Sequence, residues 1–196
     1  MLSLHLGVIG FLLYLLYDIN SFTRRSRSLH SFFMLGTILI GAAGLMDLYA
    51  AWQLGAFSGA LDMLLAVLGA LCFVLLMYCL FFALPFEETY TEQRTDRQVY
   101  DKGVYALCRH PGILCFWAMF LFLGSAALPG KLLRNGMVFS LLNLAYAWFQ
   151  DRLTFPRTFC DYETYRKKVP FLIPNRDSIR LAQQTWISSV SKEDKT

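Results

Sequence analysis

The sequence predicts an all-α fold: a polytopic membrane helix bundle of about five transmembrane helices with a C-terminal amphipathic interfacial helix. Hydrophobic residues make up 56% of the chain and charged residues only 16%, against roughly 25% charged in soluble proteins. Several apolar runs approach the roughly 20 residues that a helix needs to cross a bilayer. The net charge of +4 is modest, so we expect no nucleic-acid partner.

Five apolar runs are predicted as spans. They are Leu2–Tyr17, Ser31–Trp52, Leu61–Leu84, Ile113–Leu128 and Gly136–Phe149. The first run lacks a basic flank and a small-residue cleavage site, so we expect it to remain as a span. Asp47 lies near the end of the second run, where a place at the membrane interface is favoured over pairing inside the bundle or a functional role.

The distribution of basic residues predicts the orientation of an integral, multi-pass protein. With five spans, sixteen of the 18 lysines and arginines fall on one side of the membrane, and only Lys131 and Arg134 fall on the other. Basic loops stay in the cytoplasm. The N-terminus is therefore predicted outside, with the C-terminus and the two polar stretches Gly103–Pro111 and Gln150–Pro170 on the cytoplasmic side.

The stretch Leu153–Val169 has the pattern of an amphipathic helix. Its apolar side chains recur at helical spacing among basic residues; they are Phe155, Phe159, Tyr162, Tyr165 and Val169. Such a helix suits the membrane interface, but the same stripe could equally pack onto the bundle.

The five cysteines show no CxxC pair and no zinc-ligand spacing, so no metal site is expected. Small buried packing residues are the favoured interpretation. Cys108 and Cys160 are the two that lie in polar segments, where a thiol can react.

The turn before the fourth apolar run contains Arg109, His110 and Pro111. A guanidinium binds a carboxylate or phosphate through two parallel hydrogen bonds, and histidine exchanges protons near neutral pH. Proline fixes the backbone where a helix begins, and a helix N-terminus favours an anion. The tripeptide alone is equally typical of a basic anchor that flanks a span.

A longer pattern surrounds this turn. It comprises Gly103, Tyr105, Arg109-His110-Pro111, a two-helix hairpin, Gln150-Asp151, Phe155, Phe159, Tyr162, Tyr165 and Val169-Pro170. This pattern, from about Gln98 to Pro174, resembles the isoprenylcysteine carboxyl methyltransferase and phospholipid methyltransferase superfamily. The resemblance implies an integral membrane S-adenosylmethionine-dependent methyltransferase that acts on a lipid-like or prenylated acceptor at the cytoplasmic face.

The resemblance also implies the site residues. Arg109 and His110 would be catalytic, and S-adenosylmethionine would be bound by Tyr105, Arg109, His110, Pro111, Gln150, Asp151, Tyr162 and Tyr165, with Trp148 as a further aromatic candidate for the sulfonium. The family carries a glutamate pair where this chain has Gln150-Asp151, and a tyrosine and a glycine where it has Ile113 and Cys115. Restoring Gln150→Glu is expected to leave or raise activity.

The resemblance divides the chain into three parts in order. Residues 1–97 form an N-terminal transmembrane scaffold of three spans and a connector, residues 98–175 a methyltransferase-like module, and residues 176–196 a polar tail. The expected partners are a lipid-like substrate and membrane lipids.

Two alternatives stay open. Val169-Pro170 and Ile173-Pro174 also resemble the end of the longer, NADPH-dependent sterol reductases. A non-catalytic family member acting as a membrane scaffold or lipid binder is the other alternative, and Gln150 favours it. The sequence specifies neither the methyl acceptor nor the oligomeric state.

Overall fold

The structure, a computed structural model, describes residues 1–23, 29, 31–83, 97–127 and 130–193. All regular structure in these residues is helical. The helices are α1 (Leu2–Phe22), α2 (Ser31–Gln53), α3 (Ala60–Met77), α4 (Val104–Leu107), α5 (Pro111–Ala126), α6 (Lys131–Phe149), α7 (Phe155–Thr158), α8 (Tyr162–Lys168) and α9 (Arg176–Glu193). A π-helical turn extends α3 over Tyr78–Phe82, and another extends α6 over Gln150–Thr154.

Three helical segments are long and apolar enough to cross a membrane: Leu2–Ser21, Ser31–Gln53 and Ala60–Phe82. Large apolar side chains on α2 and α3 are exposed, as Met34, Leu45 and Val74 illustrate. Such surfaces are rare in soluble proteins and typical of helices that face lipid. The membrane character is therefore supported. The fourth predicted span corresponds to the shorter apolar helix α5, and the count of five spans stays a prediction.

The chain forms two compact units, each discontinuous in sequence. Unit 1 comprises Met1–Phe73 with Phe116–Thr154, and unit 2 comprises Val74–Cys115 with Phe155–Thr196. The sequence-based division into three parts follows chain order instead. The basic turn at residues 24–27 and most of the predicted connector, residues 84–96, lie outside the described residues.

Within unit 1, α1 and α2 cross closely at two glycines. A Cβ added to Gly10 would lie 2.9 Å from the Gly36 carbonyl oxygen, and one added to Gly36 would lie 2.8 Å from the Gly10 carbonyl oxygen. Only glycine permits such an approach, as expected for a small-residue face between membrane helices. Gly41 lies off this contact, with nothing within 4 Å of an added Cβ.

Asp47 is buried within unit 1 and hydrogen-bonded there, which is the pairing that the sequence analysis ranked second. Its carboxylate is 3% exposed. Ser3 Oγ donates to Asp47 Oδ1 at 2.7 Å, and Asn135 Nδ2 donates to Asp47 Oδ2 at 2.8 Å. Asn135 Nδ2 also lies 3.2 Å from Ser3 Oγ. The three side chains join α1, α2 and α6, because a buried carboxylate must be hydrogen-bonded.

Unit 2 has its own core around Tyr162, Tyr165 and Val169, which are 2%, 6% and 1% exposed. Partly buried side chains surround these three: Val99, Phe155, Phe159 and Leu181. The apolar stripe read from the sequence therefore packs within this unit.

Leu153–Val169 is not one continuous helix, in contrast to the sequence interpretation. Helices α7 and α8 are separated at Phe159–Asp161. The Cys160 N–H donates to the Arg97 carbonyl oxygen at 2.9 Å, and Asp161 Oδ1 accepts from the Val99 N–H at 2.9 Å. These bonds to a distant segment replace helical bonds, and helical periodicity gives no sign of them.

The polar tail contains a helix that the sequence analysis missed. Helix α9 begins with a reciprocal cap: Ser178 N–H donates to Asn175 Oδ1 at 2.8 Å, and Asn175 N–H donates to Ser178 Oγ at 3.0 Å. This arrangement satisfies backbone donors that a helix start leaves open. The Asn-x-x-Ser spacing was the available signal.

Candidate functional site

The Gly103–Pro111 stretch begins at a glycine whose backbone no other residue adopts easily. Gly103 has φ 58° and ψ −128°, a region that is strained for any residue with a Cβ. Its N–H donates to Thr185 Oγ1 of α9 at 3.2 Å. The short helix α4 follows, and Pro111 then occupies the first position of α5, where its missing N–H costs nothing.

Arg109 joins this turn to the end of α8. Its backbone N–H donates to the Pro170 carbonyl oxygen at 2.9 Å. Its Nη1 donates to the Arg166 carbonyl oxygen at 2.9 Å, one of the last carbonyls of α8, which lack intrahelical partners. The guanidinium carbon also lies 5.6 Å from the centre of the Phe171 ring, within cation–π range. Arg109 thus holds together two stretches that lie far apart in sequence.

His110 is placed between aromatic rings. It is 8% exposed and stacks on Phe155 with an interplanar angle of 16° and a centroid distance of 5.8 Å. Phe171 approaches the same ring at 4.9 Å in an edge arrangement. This packing fixes the imidazole plane, so any proton exchange at its nitrogens would occur in a defined direction.

The tyrosines of the pattern form a chain of hydrogen bonds. Tyr165 Oη donates to the Tyr105 carbonyl oxygen at 2.7 Å, and Tyr105 Oη donates to the Cys79 carbonyl oxygen at 2.8 Å. Burial raises the pKa of Tyr165 well above its usual range. Tyr162 packs against Tyr165 and Phe155. Tyr165 therefore stays neutral at physiological pH, and the three rings provide apolar faces.

Cys108 is buried at 1% exposure, and burial raises the pKa of its thiol to about 11. A thiol that stays protonated at neutral pH is a poor nucleophile. Cys160 is the exposed cysteine of the two in polar segments. The residues that the structure describes contain no group of three or more His, Cys, Asp or Glu that could hold a metal ion.

Unit 2 also has a small cleft beside this turn. It has a volume of about 120 Å³, and its walls include Tyr78, Phe82, Tyr100, Lys102 and Thr185. Pockets that enclose drug-sized ligands usually have volumes of about 300–1,000 Å³. The cleft therefore has room for part of a cofactor, such as one charged group, and not for a whole nucleoside.

Gln150 and Asp151 belong to unit 1, where they begin the π-helical turn after α6. Asp151 is 3% exposed. Gln150 Nε2 donates to Tyr146 Oη at 2.9 Å. Thr154 Oγ1 donates to Oδ2 of Asp18 on α1 at 3.4 Å, and Tyr146 and Gln150 lie near the same carboxylate. Asp18 is a further residue of this group, which the sequence analysis did not identify.

The group around Asp18 gives a physical reason for the glutamine at position 150. Asp18 is 3% exposed, and a buried carboxylate needs donors around it. The neutral Gln150 amide donates to the neighbouring Tyr146 hydroxyl, whereas a glutamate there would add a second negative charge near Asp18. The signal in the sequence was weak: one aspartate at the end of a span, 132 positions before Gln150.

The residues expected at the site are therefore distributed as follows. Unit 2 contains Tyr105, Arg109, His110, Pro111, Tyr162 and Tyr165, and it brings them together around the Arg-His-Pro turn. Unit 1 contains Gln150, Asp151 and Trp148. The Trp148 side chain is 57% exposed.

The fold and this site define a class: an all-helical protein with three helices suited to span a membrane and a buried, aromatic-lined Arg-His-Pro turn. Comparison with models of protein families, with curated proteins and with solved structures gives no match.

Proposed function

We propose that this chain is an integral membrane S-adenosylmethionine-dependent methyltransferase whose acceptor is a lipid-like or prenylated molecule at the cytoplasmic face. The observation that supports it most is the double attachment of Arg109 to the end of α8, at the Arg166 and Pro170 carbonyl oxygens. It joins the Arg-His-Pro turn to the last residues of the second stretch of the methyltransferase pattern.

The residues present suit the chemistry of the cofactor. When bound, S-adenosylmethionine supplies an electrophilic methyl group on a sulfonium cation. Tyr105, Tyr162 and Tyr165 provide aromatic faces of the kind that attract such a cation, and a guanidinium, as in Arg109, matches a carboxylate. Neutral tyrosines suit this role, and burial keeps Tyr165 neutral.

The roles that we propose for the polar groups follow from their settings. His110 is held between Phe155 and Phe171 and would accept a proton from an amine acceptor. A carboxylate acceptor is already ionised and would need alignment only. Gln150 and Asp151 would bind the cofactor through an amide and a carboxylate, and Pro111 would fix the start of α5.

A titration of the purified full chain in detergent tests this proposal. Thermal unfolding is followed with S-adenosylmethionine, S-adenosylhomocysteine and NADPH. Stabilisation by the two sulfur compounds and not by NADPH supports methyl transfer. Stabilisation by NADPH alone would point to a reductase, and no response to any of them would contradict both enzymes.

The matched variant is His110→Phe. A phenyl ring preserves the packing between Phe155 and Phe171 but removes both ring nitrogens, so the unfolding temperature should change little. Methyl transfer to an amine acceptor should fall by about 10²–10⁴-fold if His110 is the base. Full activity in His110→Phe would exclude this residue from catalysis.

A non-catalytic scaffold is the second candidate, and one observation favours it. The Arg109 guanidinium and the hydroxyls of Tyr105 and Tyr165 all donate to backbone carbonyl oxygens, so the pattern also has a structural use. Unchanged thermal unfolding with all three compounds, together with a stable His110→Phe variant, would favour the scaffold.

A further inference from the structure

Unit 2 has an open groove of about 470 Å³ between the end of α8 and the first turns of α9. Lys167 and Lys168 line one side, and Arg180 lines the other. Leu181, which packs against the core of unit 2, and Gln184 complete the surface together with Asp177. The groove is therefore basic at its sides, with an apolar residue between them.

The three cations of the groove have no carboxylate within 4.0 Å among the residues that the structure describes. The neighbouring Arg166 differs, because it pairs with Glu163 at 3.2 Å. Three exposed charges converging on one groove repel each other, and an anion placed between them would relieve that repulsion.

The groove is also firmly built. The capping bonds between Asn175 and Ser178 fix the start of α9, and Val169, 1% exposed, anchors the end of α8. An anion would therefore meet cations on helices that are already ordered, which limits the entropy lost on binding.

We propose that this groove binds the phosphate headgroup of an anionic phospholipid. Lysine ammonium and arginine guanidinium groups both bind phosphate oxygens, and the cytoplasmic leaflet carries anionic lipids that attract basic segments near a span. Exposed apolar side chains accompany the charges: Ile173 is 77% exposed and Ile179 is 42% exposed. This combination suits a lipid better than a free phosphate ion. The site does not depend on methyl transfer.

The test uses the purified full chain in detergent and short-chain lipids that dissolve as monomers. Dioctanoyl phosphatidylglycerol should bind at least tenfold more tightly than dioctanoyl phosphatidylcholine, and more weakly as NaCl rises. Equal binding of the two lipids, or equal affinity for inorganic phosphate alone, would overturn the proposal.

The double variant Lys168→Gln/Arg180→Gln removes two cations from the groove. Each basic residue near an anionic surface contributes a factor of roughly five, so phosphatidylglycerol affinity should fall about 30-fold. The matched control, Lys131→Gln/Arg152→Gln, removes the same charge from exposed positions elsewhere and should stay within about twofold. Equal losses in both double variants would refute the site.

The Asp177→Asn variant is expected to raise the affinity, which is a result that misfolding cannot produce. It removes the negative charge of Asp177 from the groove, so phosphatidylglycerol should bind about fivefold more tightly. A misfolded protein would not gain affinity. Unchanged or weaker binding in Asp177→Asn would contradict an electrostatic headgroup site.

Discussion

Gln150→Glu is the substitution for which the structure and the family resemblance give different expectations. Gln150 Nε2 donates to Tyr146 Oη at 2.9 Å, and the Gln150 side chain lies near the Asp18 carboxylate. Glutamate keeps the size of the side chain but has no N–H at pH 7. The variant would therefore lose a donor and place a second carboxylate beside Asp18, which is 3% exposed.

The expected cost has two parts. A lost intramolecular hydrogen bond costs about 1 kcal/mol. Two carboxylates that share a site shift the titration of one by at least a unit, which adds about 1.4 kcal/mol. Gln150 is half-buried, so solvent screens part of this repulsion. We expect Gln150→Glu to lower the free energy of unfolding by about 2 kcal/mol at pH 7.5.

Thermal unfolding of the purified chain at pH 7.5 and pH 5 measures this effect. The deficit of Gln150→Glu should shrink at pH 5, because protonating one carboxylate removes the repulsion and restores a donor. The double variant Asp18→Asn/Gln150→Glu should recover most of the loss at pH 7.5. Gln183→Glu makes the same chemical change at an exposed position and should cost little. Wild-type stability of Gln150→Glu at pH 7.5, or no recovery in the double variant, would refute this reasoning.

Three further predictions concern stability. Asn135→Leu leaves the buried Asp47 carboxylate with one donor fewer and should cost about 3 kcal/mol in thermal unfolding; a loss below about 1 kcal/mol would contradict the cluster. Gly103→Ala should lower the free energy of unfolding by about 1–2 kcal/mol, because the φ of Gly103 is 58°. Gly41→Ala, on an exposed helical face, should raise the free energy of unfolding by about 0.5–1 kcal/mol. A Gly41→Ala variant less stable than Gly103→Ala would contradict this prediction. Tyr165→Phe should cost about 1 kcal/mol at pH 7. Since the folded-state pKa of Tyr165 is raised, its contribution is present below about pH 10 and is lost as the pH rises above that value; the wild type should therefore lose stability in alkali more steeply than Tyr165→Phe, and parallel pH profiles would contradict this.

Hydropathy predicted the helical class and the three long apolar helices well, because the free energy of leaving water depends on local composition. It could not place Asp47. The donors to that carboxylate are 44 and 88 residues away in the chain, and no periodicity encodes them. The break in the helix before α8 could not be predicted for the same reason, because it depends on hydrogen bonds from Cys160 and Asp161 to another segment.

The candidate site was predictable in part. The spacing of the Arg-His-Pro turn and the tyrosines indicated two stretches that belong together, and in unit 2 they are in contact through Arg109. Asp18 was not predictable, because an aspartate at the end of an apolar run usually marks the membrane boundary. Its partners become visible only when α1 and the end of α6 are seen in one unit.

The Ser3–Asp47–Asn135 cluster has a consequence for how the chain is assembled in the bilayer. Helices α1 and α2 are synthesised first, and at that stage Asp47 has Ser3 as its donor, whereas Asn135 follows 88 residues later. A carboxylate without its full set of donors is costly inside a span. The α1–α2 pair therefore carries a polar group that lacks one donor until α6 packs against it. A chain cut short before α6 would leave the Asp47 carboxylate without the Asn135 donor, and Asn135 marks the step at which this hydrogen-bonded cluster becomes complete.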